Sequence, residues 1–152
     1  MESPLDLFHI MKTMRPMRRL KPDDVPDDLL EEVLDAAVCA PNSLNTQPYN
    51  FIVVRDKETK SFFGEKYDQA MRHRFAKYVP ESGDNSAFAR NFRTAMAFGK
   101  HLPDVPVLLF VCGERDWPLA VADEARIGLA PPSYGSVFPC VQNILLGCRA
   151  KG

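Results

Sequence analysis

Three clusters of side chains carry the polar and charged groups suited to chemistry. Arg15, Arg18, Arg19 and Lys21 lie close together around Pro16, which favours an extended turn over a helix. Guanidinium forks suit bidentate contact with phosphate or carboxylate, and they equally suit a solvated turn that neutralises the acidic stretch behind it. Asn42, Ser43, Asn45, Thr46 and Gln47 lie between Pro41 and Pro48. They read either as a binding loop held by rigid elements or as an ordinary polar connection. Gly135 and Ser136 precede an apolar helical run. Small residues there admit a ligand to the backbone donors of a helix start, or simply initiate the helix.

Other chemistries lack support. There is no G-x-G-x-x-G, no G-x-x-x-x-G-K-[ST] and no G-x-S-x-G. His9, His73 and His101 are scattered without metal-ligand spacing, so no metal site is expected. Cys39, Cys112, Cys140 and Cys148 form no C-x-x-C and are expected as buried free thiols in a reducing cytosol. The acidic pairs Asp27-Asp28 and Glu31-Glu32 read as a helix start. A net charge of -1 over 152 residues gives no field for nucleic acid or anionic membrane. The N-terminus lacks a signal-peptide pattern. The apolar run from Val105 to Cys112 is interrupted by Pro106 and too short for a bilayer. A soluble cytoplasmic protein is therefore expected.

The elements that must position the three clusters follow from periodicity. Ser3-Pro4 reads as a helix start, and Leu7, Ile10, Met11 and Met14 give a first helix of about residues 4–14. Asp27 reads as the cap of a second helix with Leu29, Leu30, Val33, Leu34 and Ala37 inward. Tyr49 to Arg55 has strand composition. Residues 57–79 read as a helix, and a further helix at about 86–101 carries Phe88, Phe92, Ala95 and Met96 on one face. Residues 105–112 read as a central strand covered on both faces. Residues 114–130, with Trp117, are ambiguous. A last helix from about Ser133 to Lys151 sets Val137, Val141, Ile144, Leu145 and Cys148 on one stripe. This order predicts an α+β sandwich of helices around a sheet in one domain, with only two convincing strands.

Three blocks taken together resemble the FMN-dependent nitroreductase family. They are Arg15-x-x-Arg18-Arg-Leu-Lys-Pro-Asp-Asp-Val-Pro, Ala40-Pro-Asn-Ser-Leu-Asn-Thr-Gln-Pro-Tyr-Asn-Phe-Ile-Val-Val, and the segment from Ser136 to Gly152. The likeness runs from Leu7 to Gly152. It implies helices around a mainly antiparallel sheet and an intertwined homodimer with FMN at the interface. It also implies a single domain over 1–152 that lacks a C-terminal strand and a partner-embracing segment. By position, Arg15 and Arg18 match residues that meet the flavin phosphate, ribityl chain or pyrimidine edge, with Arg19 as a third. Pro41, Asn42 and Ser43 match the loop against the flavin, Asn45 and Gln47 match positions that shape it, and Ser136 matches a small position near the ring. The implied reaction passes hydride from NADH or NADPH to FMN N5 and then to a nitroaromatic, quinone or similar acceptor. The flavin carries that chemistry, so no catalytic side chain is assigned. Pro16, Asn42 and Tyr49 depart from the family's usual hydroxyl, serine and tryptophan. Two alternatives accompany this reading: a truncated or degenerate member without activity, and a dehalogenating or flavin-degrading relative.

Overall fold

A computed structural model describes residues 6–114 and 134–152. Ser3, Pro4, Trp117 and Ser133 lie outside the described residues, as does nearly all of the ambiguous 114–130 stretch. The elements are α1 (Leu7–Thr13), α2 (Asp27–Val38), β1 (Tyr49–Val54), α3 (Lys57–Phe75), α4 (Ala87–Ala97), β2 (Leu108–Gly113) and α5 (Tyr134–Lys151). Short 3-10 turns occupy Ser43–Asn45, Ala76–Tyr78 and Phe98–Asp104. Among the described residues, β1 and β2 form one two-stranded sheet. Glu114 N donates to Pro48 O at 3.0 Å, joining the end of β2 to the start of β1, so the strands run antiparallel. This is the expected α+β architecture. The expectation of a fully covered central strand fails: every residue of β2 is half-buried or exposed, because only one strand flanks it among the described residues.

The helix starts also differ from expectation. Asp6 caps α1, its carboxylate accepting from Phe8 N at 3.1 Å. At α2, Pro26 occupies the cap without a side-chain bond, and Asp27 is the first helical residue. Proline there already presets the entry dihedral, which leaves the aspartates to act on the helix dipole.

The chain divides into two compact units. The first holds the described residues up to Arg15, Val25–Ile52 and those from Phe110 on; the second holds Pro16–Asp24 and Val53–Leu109. In the first unit α5 packs along α2 and α1. Its inward edge is Ser136, Cys140 and Ile144, at four-residue spacing, whereas Leu145 and Cys148 of the expected stripe are exposed. Gly147 faces Val33 of α2, where a Cβ would rest in ordinary contact 3.7 Å from the valine side chain. Arg149 Nε donates to Thr13 Oγ1 at 3.1 Å, and Lys151 pairs with Glu32, tying α5 to both neighbours. The expectation of four buried thiols is corrected as well. Only Cys140 is buried; Cys39, Cys112 and Cys148 are exposed, and all four are unpaired.

In the second unit α3 packs on the Phe98–Asp104 turn and α4. Ala89 is fully buried while Phe88 is 60% exposed, so the inward face of α4 is rotated from the one its phenylalanines suggest. Lys60 is buried, and its ammonium donates to Val105 O at 2.7 Å, which offsets part of the cost of desolvating a charge. Tyr67 donates from its hydroxyl to Ala95 O at 3.2 Å. No described helix is long and apolar enough to cross a membrane.

Two glycines in the second unit lie backbone against backbone. A Cβ on Gly64 would stand 2.5 Å from Gly99 O, and a Cβ on Gly99 would stand 2.8 Å from Gly64 O. Alanine within a helix is favoured over glycine by about 1 kcal/mol, but overpacking against backbone costs about 1–3 kcal/mol. Gly64→Ala is therefore expected to lower the urea midpoint, and an unchanged or raised midpoint would contradict this packing.

Candidate functional site

The site is built outward from the end of α2. Ala40 is buried and Pro41 is exposed, so the chain leaves the core as it turns. Asn42 then ties the loop together. Its Oδ1 accepts from Gln47 N at 2.8 Å and its Nδ2 donates to Ala40 O at 3.3 Å. Ser43 O receives the Thr46 hydroxyl at 3.1 Å and the Thr46 N–H at 3.3 Å. The backbone between these bonds is unusual. Leu44, Asn45 and Gln47 have φ of 53°, 52° and 48°, in the left-handed region that non-glycine residues rarely adopt. Asparagine tolerates it, whereas leucine and glutamine do not gain the same local bonds. Gln47 also precedes Pro48, a position that favours extended backbone. Ser43, Leu44, Asn45 and Gln47 are all exposed.

Pro48 and Tyr49 return the chain to the interior, both buried. Tyr49 donates from its hydroxyl to Val38 O at 3.3 Å. Burial first, then the neighbouring Cys140, pushes the Tyr49 hydroxyl above its ordinary pKa, against a smaller opposing pull from the Gln47 side chain. Gly113 marks where this exit meets α5. A Cβ there would lie 2.5 Å from Val137 Cγ2 and 3.8 Å from Pro48 O. The first turn of α5, with buried Ser136, thus stands beside the loop's exit.

Arg15 lies in the same unit, just past α1. Its Nη1 donates to Lys12 O at 2.9 Å and to Met14 O at 2.6 Å. Its Nε and Nη2 have no partner among the described residues. Arg18 and Arg19 lie in the second unit. There they line a cavity of about 330 Å³ with His101, Asp104 and Phe98. Neither is ion-paired among the described residues. His101 and Asp104 had no signal in the sequence, since nothing local links them to the arginine turn. The structure gathers Pro41, Asn42, Ser43, Asn45 and Gln47 into one loop and sets the turn of Ser136 beside it. The left-handed backbone at Leu44 and Gln47 was likewise invisible in sequence, because neither residue type signals it.

The profile described as "Nitroreductase family" matches residues 12–152. The chain belongs to the nitroreductase family. A Thermus thermophilus protein named NADH dehydrogenase is 50% identical over 111 residues, covering 72% of this chain and 40% of that protein. A Methanothermobacter thermautotrophicus protein named for NADH dehydrogenase/NAD(P)H nitroreductase activity is 39% identical over 56 residues, covering 37% of this chain and 29% of that protein. Each match thus spans less than half of the relative's length. Among solved structures, an iodotyrosine deiodinase bound to FMN and 3-iodo-L-tyrosine superposes with a TM-score of 0.71 at 23% identity, over 97% of this chain and 71% of that one. At that identity the likeness speaks for the nitroreductase fold.

In this nitroreductase-family chain the loop's order depends on Asn42. Asn42→Ala removes the acceptor for Gln47 N–H and is expected to destabilise the loop by about 0.5–1.5 kcal/mol. Amide exchange at Gln47 should accelerate accordingly, while Asn42→Asp, which keeps the acceptor, should retain the slower rate. Equal exchange in Asn42→Ala and the parent would contradict the role given to this side chain.

Proposed function

We propose that this protein is an FMN-dependent oxidoreductase working with NADH or NADPH as a cytoplasmic homodimer. When bound, FMN would supply the hydride chemistry between the reduced nicotinamide and a nitroaromatic, quinone or similar acceptor. The observation that carries the reading is the Asn42–Gln47 loop. Three non-glycine residues in the left-handed region cost about 1–3 kcal/mol each, and such strain is characteristic of ligand-clamping sites. The donor set suits a phosphorylated, amide-edged heterocycle. Arg15 offers uncommitted guanidinium nitrogens, and Arg18 and Arg19 offer further cationic donors. Pro41, Asn42 and Ser43 would lie against the ring, Asn45 and Gln47 would hold the loop's shape, and buried Ser136 would leave room at the start of α5. No protein acid or base is required, so these residues bind, orient and exclude water.

The dimer reading rests on apolar surface. Leu7, Phe8 and Met11 of α1 and Tyr134, Phe138 and Leu145 of α5 are exposed, a pattern that marks association surfaces. Four unpaired cysteines suit a reducing compartment. A second reading, reductive dehalogenation, is favoured by the superposition on an iodotyrosine deiodinase.

Reconstitution with FMN tests the function. The expected result is a yellow dimer by light scattering that oxidises NADH or NADPH when a quinone or nitroaromatic is supplied. A colourless, folded monomer that takes up no flavin would overturn the proposal. Release of iodide from 3-iodotyrosine in place of quinone reduction would favour the second reading. Arg18→Ala should raise the FMN dissociation constant roughly ten- to hundredfold, the loss of one charge-assisted hydrogen bond of about 1.5–3 kcal/mol. Unchanged FMN affinity in that variant would refute the role given to Arg18.

A further inference from the structure

The second unit holds a separate cavity that none of the proposed flavin-binding residues lines. It has a volume of about 780 Å³ and opens between the C-terminal half of α3, the 79–83 segment and α4. That volume is within the range of small-molecule sites, roughly 300–1,000 Å³. Its floor is aromatic and thioether. Phe75 and Phe92 meet edge to face at 6.3 Å with their planes at 89°, and Met96 lies alongside in the lining. Its charged lining is Arg72, Arg93 and Lys100 against Glu81.

The three cations are not equally occupied. Arg72 Nε bridges to Asp68 Oδ2 at 2.7 Å, and Asp68 lines a second cavity together with Ser61, Gly64 and Lys100. Arg93 Nη2 donates to the backbone carbonyl of Asp84 at 2.8 Å, while the Asp84 carboxylate is engaged by Ser86 N at 2.8 Å. Arg93 Nε and Nη1 have no hydrogen-bond partner among the described residues and Lys100 forms no ion pair there, although each acts through space on a carboxylate, Arg93 on Asp84 and Lys100 on Asp68. Two cationic groups therefore share the cavity lining with Phe75, Phe92 and Met96, with no carboxylate hydrogen-bonded to either.

We propose that this cavity is a binding site for a small aromatic carboxylate, its ring on Phe75, Phe92 and Met96 and its carboxylate on Arg93 and Lys100. The pairing has a physical basis. An aromatic ring gains from burial against Phe and Met, and a carboxylate finds charge-assisted donors that no internal carboxylate hydrogen-bonds. A neutral aromatic would satisfy the floor alone, and a non-aromatic anion would satisfy the rim alone. The site does not depend on the flavin reading, because its lining residues are none of those assigned to FMN.

Calorimetric titration with 2-naphthoate, on protein with and without added FMN, tests this. The expected result is binding of 2-naphthoate in both preparations, weakened by salt, with 2-naphthamide at least about tenfold weaker. Arg93→Gln with Lys100→Gln should weaken naphthoate by about tenfold or more, while Lys57→Gln, a distant charge change of the same sign, should leave it intact. Circular dichroism melts establish that the double variant is folded. Equal affinity for the acid and the amide would overturn the proposal. So would failure of folded protein to bind naphthoate, or displacement of naphthoate by FMN with full affinity kept in the double variant.

Discussion

Pro41 denies α2 its next turn, so the last carbonyls of that helix must find donors elsewhere. Each one does. Asp35 O receives the Cys39 thiol at 3.3 Å, Ala36 O receives Asn143 Nδ2 at 3.0 Å, Ala37 O receives Ala40 N at 3.1 Å, and Val38 O receives the Tyr49 hydroxyl at 3.3 Å. Two of these donors come from outside the helix and its immediate continuation. Asn143 belongs to α5 and Tyr49 to β1, so closing the helix end also sets where α5 and β1 stand around it. The polar loop that follows inherits its position from that closure.

The same accounting explains how a strained loop persists. Its internal bonds are exposed or part-buried and worth about 0.5–1.5 kcal/mol each, whereas each left-handed non-glycine residue costs about 1–3 kcal/mol. Local bonds alone therefore do not cover the strain at Leu44, Asn45 and Gln47. The balance comes from the anchors at either side, buried Ala40 before the loop and buried Pro48 and Tyr49 after it. Loops of this kind carry function because a rigid frame holds conformations that the chain would not otherwise adopt.

The second unit uses a different device. Gly64 and Gly99 let α3 and the Phe98–Asp104 turn meet backbone to backbone, and buried Lys60 ties α3 to Val105. Larger side chains are left for α4 and the far half of α3, where Phe75, Phe92 and Met96 line an open cavity instead of filling a core. Arg72, Arg93 and Lys100 come to that cavity from separate elements, so their convergence has no counterpart in local sequence.

The residues by themselves determined the order of helices and strands, the position of the polar loop and the family. Proline, β-branched runs and apolar periodicity act over a few neighbours, and the family's blocks are contiguous. Several details lay beyond that reach. The inward faces of α4 and α5 went to Ala89, Ser136 and Cys140, not to the phenylalanines or to Leu145 and Cys148, because close helix contact selects small residues that hydropathy ranks low. The capping role of Asp6, the exposure of three cysteines and the left-handed backbone at Leu44 and Gln47 likewise depend on what each residue meets in space. Sequence determined which groups are available, and tertiary packing decided which are buried, strained or left uncommitted, because burial and hydrogen-bond satisfaction are set by neighbours distant along the chain.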